Sequence, residues 1–160
     1  MRLFIALPLS AEALERLAAL QSGVPGARWV ERSNLHLTIR FIGEADRHAA
    51  EDLDTELIAL RAPAFGVSLG GVGFFDRGRR AHTLWAGVER SDALVFLRDK
   101  IESAAVRAGF PPAGHKFTPH VTLARLKGVP TERLGPYIET RHGFAAGPSA
   151  ITRFTLFESR

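Results

Sequence analysis

The chain has 160 residues, 46% of them apolar and 24% charged, and contains no cysteine. That is enough apolar material for one packed core; it excludes a disordered or fibrous chain, disulfides, thiolate catalysis and cysteine-ligated metal clusters. The net charge is +4, with eighteen arginines and three lysines against 17 acidic residues, and arginine's planar fork favours an anionic partner such as RNA, a nucleotide or a membrane surface. No apolar run reaches the roughly 18 residues of a membrane span. Met1 to Ala11 has only a superficial likeness to a secretory leader, because Pro8 interrupts its apolar run and Glu12, Glu15 and Arg16 follow at once. A soluble cytoplasmic protein is expected.

Residues 2–7 read as a buried strand ended by Pro8. A helix follows over 11–21, with Ser10 as N-cap and Leu14, Leu17 and Ala18 on one face, until Gly23, Pro25 and Gly26 break it. A short strand is predicted near 27–30 and a longer alternating one over 34–43. Asp46 caps a second helix over 47–60 with Leu53, Leu57 and Leu60 as its apolar stripe. Strands near 64–75 and 82–88 flank a basic turn, Asp76-Arg77-Gly78-Arg79-Arg80. Ser91 opens a third helix over 92–108, whose Leu94, Leu97, Ile101, Ala104 and Ala108 recur in steps of three and four, and Gly109 stops it. A strand over 117–126, a short helix over 131–138 and a last strand over 151–157 complete the chain. Several strand pairs lack a connection long enough for a parallel crossover, so the class is α+β with largely antiparallel sheets.

One internal echo carries chemistry. Residues 35–43 are Leu-His-Leu-Thr-Ile-Arg-Phe-Ile-Gly, and residues 119–128 are Pro-His-Val-Thr-Leu-Ala-Arg-Leu-Lys-Gly. Each holds His-apolar-Thr-apolar in a strand-like run. Side chains alternate along a strand, so His36 shares a face with Thr38, and His120 with Thr122, while Leu37, Ile39, Val121 and Leu123 face a core. Two such strands side by side offer two imidazoles and two hydroxyls to one cleft. Opening a cyclic phosphodiester with water needs a base for the water and an acid for the leaving sugar oxygen; histidine does either near neutral pH. The threonine hydroxyls can hold the non-bridging oxygens. This chemistry needs no metal and no nucleotide cofactor.

The paired motifs resemble those of the two-histidine (2H) phosphoesterases. Their flanks are similar to one branch, the RNA 2′,3′-cyclic phosphodiesterases, also called the LigT or 2′-5′ RNA ligase family. The matching segments are Arg2-Leu-Phe-Ile-Ala-Leu7, Asn34-Leu-His-Leu-Thr-Ile-Arg-Phe-Ile-Gly-Glu44, Leu84-Trp-Ala-Gly-Val88, Phe117-Thr-Pro-His-Val-Thr-Leu-Ala-Arg125 and Phe154-Thr-Leu-Phe-Glu-Ser159. The resemblance implies one bilobal domain over 1–160, with two mainly antiparallel sheets related by a pseudo-two-fold and helices outside. It implies hydrolysis of RNA 2′,3′-cyclic phosphate ends, those of tRNA halves among them, to 2′-phosphates, with His36 as proton donor and His120 as proton acceptor. It also implies a monomer without an obligate protein partner, and reversible chemistry that joins RNA ends through 2′-5′ linkages without ATP. The chain has no Gly-x-x-x-x-Gly-Lys-Ser/Thr loop for ATP. The family pattern continues past its final Glu-Ser into another strand, and this sequence ends at Arg160; either that strand is absent here or the sequence is a piece of a longer one.

Arg125 matches a phosphate-binding position of the family, yet strict alternation puts it on the face opposite His120; only a bulge, a strand twist or its long side chain would bring it round. Arg40 alternates with His36 and Thr38 and is a second candidate for substrate. Of Phe74 and Phe75, Phe74 is the candidate to stack on an RNA base, at least one of the two being core; Phe41 and Phe117 are expected in the core. His48, His82, His115 and His142 show no metal-ligand spacing, so no metal site is expected. Two other functions fit the composition: an RNA-binding protein without catalysis, and a phosphodiesterase for a small cyclic nucleotide. Two intact motifs argue against pure binding, which needs no paired proton-transfer groups.

Overall fold

The computed structural model describes residues 1–159. It contains eight strands, β1 (Arg2–Leu7), β2 (Arg28–Trp29), β3 (Leu37–Glu44), β4 (Phe65–Arg77), β5 (Arg80–Val88), β6 (His120–Pro130), β7 (Ala145–Ile151) and β8 (Thr155–Ser159). Four α-helices accompany them: α1 (Ala11–Ala18), α2 (Arg47–Ile58), α3 (Asp92–Arg107) and α4 (Gly135–Arg141). The helix starts follow from local chemistry. The side-chain oxygens of Ser10, Asp46 and Ser91 accept from the backbone N–H groups of Ala13, Ala49 and Leu94 at 3.1, 2.8 and 3.2 Å, so all three predicted caps form.

The strands make two antiparallel sheets, one ordered β3-β1-β8 and the other β2-β6-β5-β4-β7. Each sheet carries one copy of the His-x-Thr motif, and β3 and β6 lie against each other where the sheets meet. The helices cross over. α1 follows a strand of the three-stranded sheet but packs on β7 of the other, and α3 follows β5 of the five-stranded sheet but packs on β3, with α2 against it. The buried side chains of both sheets, among them Ile5, Leu37, Leu84, Leu94 and Leu123, join in one core. This exchange of helices locks the two motif strands in one relative position.

Several features differ from the sequence expectations: the strand expected over 117–126 runs over His120–Pro130, and the helix expected over 131–138 is a 3₁₀ turn at Thr131–Leu134 followed by α4. The helix α1 ends at Ala18, and residues 19–21 continue as tighter turns closed by Leu20 N–H to Leu17 O and Gln21 N–H to Ala18 O. The single last strand expected over 151–157 is two strands, with the break at 152–154. Ala145–Ile151 contains Gly147 and Pro148 and reads locally as a loop; it pairs because it lies at the edge of the five-stranded sheet, where a missing proline N–H is tolerated. The basic turn does join β4 to β5, and both Gly78 (φ 57°) and Arg79 (φ 65°) take positive φ, the backbone that a two-residue hairpin with the sheet's twist requires.

Candidate active site

The alternation that the sequence suggests holds through both motifs. Leu35, Leu37 and Ile39 are buried while His36, Thr38 and Arg40 are half-buried; Val121 and Leu123 are buried while His120 and Thr122 are half-buried. Then the backbone departs from it in the same place twice. Thr38 pairs with Ala6 and Arg40 with Ile5, so Ile39 is an extra residue in β3. Thr122 pairs with Trp85 and Ala124 with Leu84, so Leu123 is an extra residue in β6. Each is a β-bulge at the last residue of its motif, and each reverses the phase of the strand beyond it. The sequence repeat is thus a repeat of backbone geometry.

The bulges decide three side chains. Arg125, five residues after His120, turns onto the histidine face and lines the cleft beside both threonines and both histidines; its Nη1 donates to Thr83 Oγ1 at 3.2 Å. Phe41, five residues after His36, turns out by the same device. It is 60% exposed and lines the cleft, not the core. Arg40 turns the other way, toward α3. Its Nε donates to Glu102 Oε2 at 2.8 Å and its two Nη groups to the carbonyls of Phe41 and Pro111. The sequence put Arg40 beside Thr38 as a candidate for substrate; the bulge puts its guanidinium in a clamp on the loop that leads to His120.

The bulge in β6 is itself held. The Leu123 carbonyl accepts from Val30 N–H at 2.9 Å and from Gln21 Nε2 at 3.0 Å, and the same amide group donates to Val30 O at 2.8 Å. Gln21 thereby ties the end of α1 and the β2 edge to the point where β6 changes phase. Nothing in the sequence marks it, because its partners are main-chain groups distant in the chain.

His36, Thr38, His120, Thr122 and Arg125 line one cleft of about 550 Å³. His36 lies flat against two aromatic rings, Phe157 at 5.0 Å and 7° and Phe4 at 5.3 Å and 20°. Phe75 meets His120 edge-on at 4.9 Å, with Trp85 at 5.5 Å from Phe75. Phe74, the sequence candidate for stacking, pairs with buried Leu84 and packs on the core; Phe75, on the opposite face, is the cleft residue. Phe4 carried no signal, since the run Leu3-Phe-Ile-Ala-Leu7 is apolar on both faces. Phe157 carried a weak one: it alternates with Thr155 and Ser159, two polar residues on one face of β8.

Burial lowers the pKa of both imidazoles from the ordinary 6.5. For His120 a hydrogen bond to the Thr118 carbonyl works against burial, and the charge of Arg125 adds to it. That hydrogen bond is 2.8 Å long and involves Nδ1. A carbonyl oxygen only accepts, so Nδ1 holds the proton and Nε2 of the neutral ring is its bare, basic nitrogen. The site thus presents one imidazole with a fixed basic nitrogen, a second imidazole stacked on a pair of aromatic rings, two hydroxyls and a guanidinium. This set can move one proton to and one from an oxyanion centre held between them. Among the described residues, no three His, Cys, Asp or Glu side chains gather into a group that could hold a metal ion. Among the described residues, no helix is long and apolar enough to cross a membrane.

Comparison with known proteins agrees with this geometry. An RNA 2′,3′-cyclic phosphodiesterase of Aeropyrum pernix is 40% identical over 71% of this chain and 68% of its own length. One of Thermotoga maritima is 32% identical over 99% of this chain and 87% of its own. The crystal structure of Escherichia coli LigT complexed with 3′-AMP superposes with a TM-score of 0.73 at 28% identity, covering 99% of this chain and 90% of that one. The sequence profile of the 2′-5′ RNA ligase superfamily matches residues 7–158, the span that holds both bulged motifs, and the chain belongs to that superfamily.

Proposed function

We propose that this chain hydrolyses RNA 2′,3′-cyclic phosphate ends to 2′-phosphates by proton transfer between His36 and His120. The relatives carry that activity in their names. The cyclic phosphate sits between the two imidazoles. His120 Nε2 takes a proton from water, and the water oxygen bonds to phosphorus in line with the bond to the 3′ oxygen. That bond breaks, and protonated His36 gives its proton to the departing 3′ oxygen. The phosphate stays on the 2′ oxygen. Thr38 and Thr122 donate to the non-bridging oxygens, and Arg125 balances the charge that grows on them. Run in the same direction with an RNA 5′-hydroxyl in place of water, the same steps join two ends through a 2′-5′ linkage without ATP, and run backwards they reopen it.

The observation that carries the roles is the hydrogen bond from His120 Nδ1 to Thr118 O, which leaves Nε2 as the basic atom. Burial lowers the His36 pKa, so in this reading the ring is charged beside the bound phosphate anion, where the electron-rich faces of Phe4 and Phe157 also favour the cation. Monomeric action in the cytoplasm, on ends such as those of tRNA halves, belongs to the same proposal. The test is incubation of the protein, with EDTA present, with a short RNA ending in a 2′,3′-cyclic phosphate, followed by phosphorus NMR of the product. A 2′-phosphate is expected, with His36→Ala and His120→Ala each slower by about 10²-fold or more. An intact RNA, or variants as fast as the wild type, would sink the reading.

A further inference from the structure

A second cavity, of about 460 Å³, is lined by His120 but not by His36. It shares Thr38, Phe41, Phe75 and His120 with the cleft already described but has its own wall, the loop from Pro111 to Thr118, and its own charges, Arg98 and Lys116. The wall is built. Glu102 accepts from Ala113 N–H at 2.9 Å while Arg40 holds Glu102 and the Pro111 carbonyl. Burial raises the Glu102 pKa, but the hydrogen bonds of Arg40 and Ala113 and the charges of Arg40 and Arg98 outweigh it and hold the carboxyl below its ordinary 4.5. Its negative charge therefore persists at neutral pH and is met by Arg40.

That leaves Arg98 and Lys116 as an excess of positive charge. Arg98 lies over the ring of Phe117 at 5.5 Å, and its carboxylate neighbour Asp99, at 3.2 Å, is outside the cavity lining. Lys116 pairs with no carboxylate among the described residues. Between the two cavities stand Phe41 and Phe75, both exposed. Exposed aromatic faces beside cations, here free Lys116 and Arg98 with its partner Asp99 outside the cavity, form the pattern that holds single-stranded nucleic acid, bases on the rings and phosphates on the charges. The volume falls within the range of small-ligand sites.

We propose that this second cavity binds the nucleotide next to the reacting one, with its bridging phosphate on Lys116 and Arg98. The chain is then selective for RNA strands over cyclic mononucleotides. This rests on the hydrolase reading above for its kinetic arm, but not for its binding arm.

The experiment compares a nucleoside 2′,3′-cyclic phosphate with a dinucleotide ending in the same group. Wild type, Lys116→Ala and the Lys116→Ala/Arg98→Gln double variant are each assayed for kcat/KM. In parallel, binding of the corresponding 2′-phosphate mononucleotide and dinucleotide is measured by calorimetry. The wild type should prefer the dinucleotide by about tenfold or more, the yield of one charge-assisted contact. The preference should shrink as salt rises and fall toward unity in the double variant. Lys116 is exposed, so its variant keeps the test usable if loss of Arg98 unsettles Phe117. A wild-type ratio near one, or a ratio unchanged in both variants, overturns the subsite. If the wild type opens neither substrate, the hydrolase reading fails, and the binding ratios still decide the subsite.

Discussion

Replacing Gln21 with leucine tests the link between the β6 bulge and Arg125. The substitution keeps most of the side-chain volume and removes two hydrogen bonds, at 2.8 Å to Val30 O and 3.0 Å to Leu123 O. Leu123 O keeps the Val30 N–H at 2.9 Å, so the bulge is loosened and not abolished. Two partly buried hydrogen bonds of about 1 kcal/mol each give a loss of about 2 kcal/mol. In a domain of this size that lowers Tm by about 4–8 °C. The local effect is on Arg125, two residues beyond the bulge, whose place beside His120 depends on the phase change. If Arg125 loses about 1.4 kcal/mol of its transition-state contact, kcat/KM falls about tenfold. Hydrolysis of a cyclic phosphate dinucleotide is measured well below either melting temperature, for wild type, Gln21→Leu, Arg125→Ala and the double variant. Gln21→Leu should slow the wild type about tenfold and add almost nothing in the Arg125→Ala background. An equal slowing in both backgrounds would mean that Gln21 serves only general stability, and a lower Tm with unchanged kcat/KM would refute the link altogether.

Two further outcomes follow from the site. Because burial lowers both imidazole pKa values in the free protein, the fraction with one ring protonated falls as pH rises past the higher of the two. So kcat/KM should decline from below the ordinary 6.5 upward, while kcat, measured with a phosphate anion bound beside the rings, should hold to higher pH; a kcat/KM that climbs from about pH 6 to about pH 8 would contradict this. In Gly73→Ala the new methyl group would sit 2.5 and 2.8 Å from Trp85 Cζ2 and Cζ3, and Trp85 cannot retreat without pressing on Phe75 and His120. The expected cost is about 1–3 kcal/mol of stability with a drop in kcat, read by thermal melting and by hydrolysis; a variant that melts and turns over like the wild type would show that the ring has room.

The sequence by itself determined what short-range physics controls. Ser10, Asp46 and Ser91 cap their helices because an N-cap needs only a side-chain oxygen and the next turn of backbone. Leu94, Leu97, Ile101 and Ala104 fall on one buried face because the helix period is local. His36 with Thr38, and His120 with Thr122, share a face because two-residue alternation is a property of any extended strand. Tertiary structure decided where that alternation stops. The extra residues at Ile39 and Leu123 exist only because β1 and β5 pair past them, and nothing local in Ile39 or Leu123 announces it. Those bulges brought Arg125 to the histidines, turned Phe41 out of the core and sent Arg40 to Glu102. The same dependence on distant partners made a strand of Ala145–Ile151, which pairs only because β4 offers it an edge. It also made Gln21 the holder of a bulge, since a main-chain carbonyl has no signature in sequence and a side chain finds it only once the chain has folded.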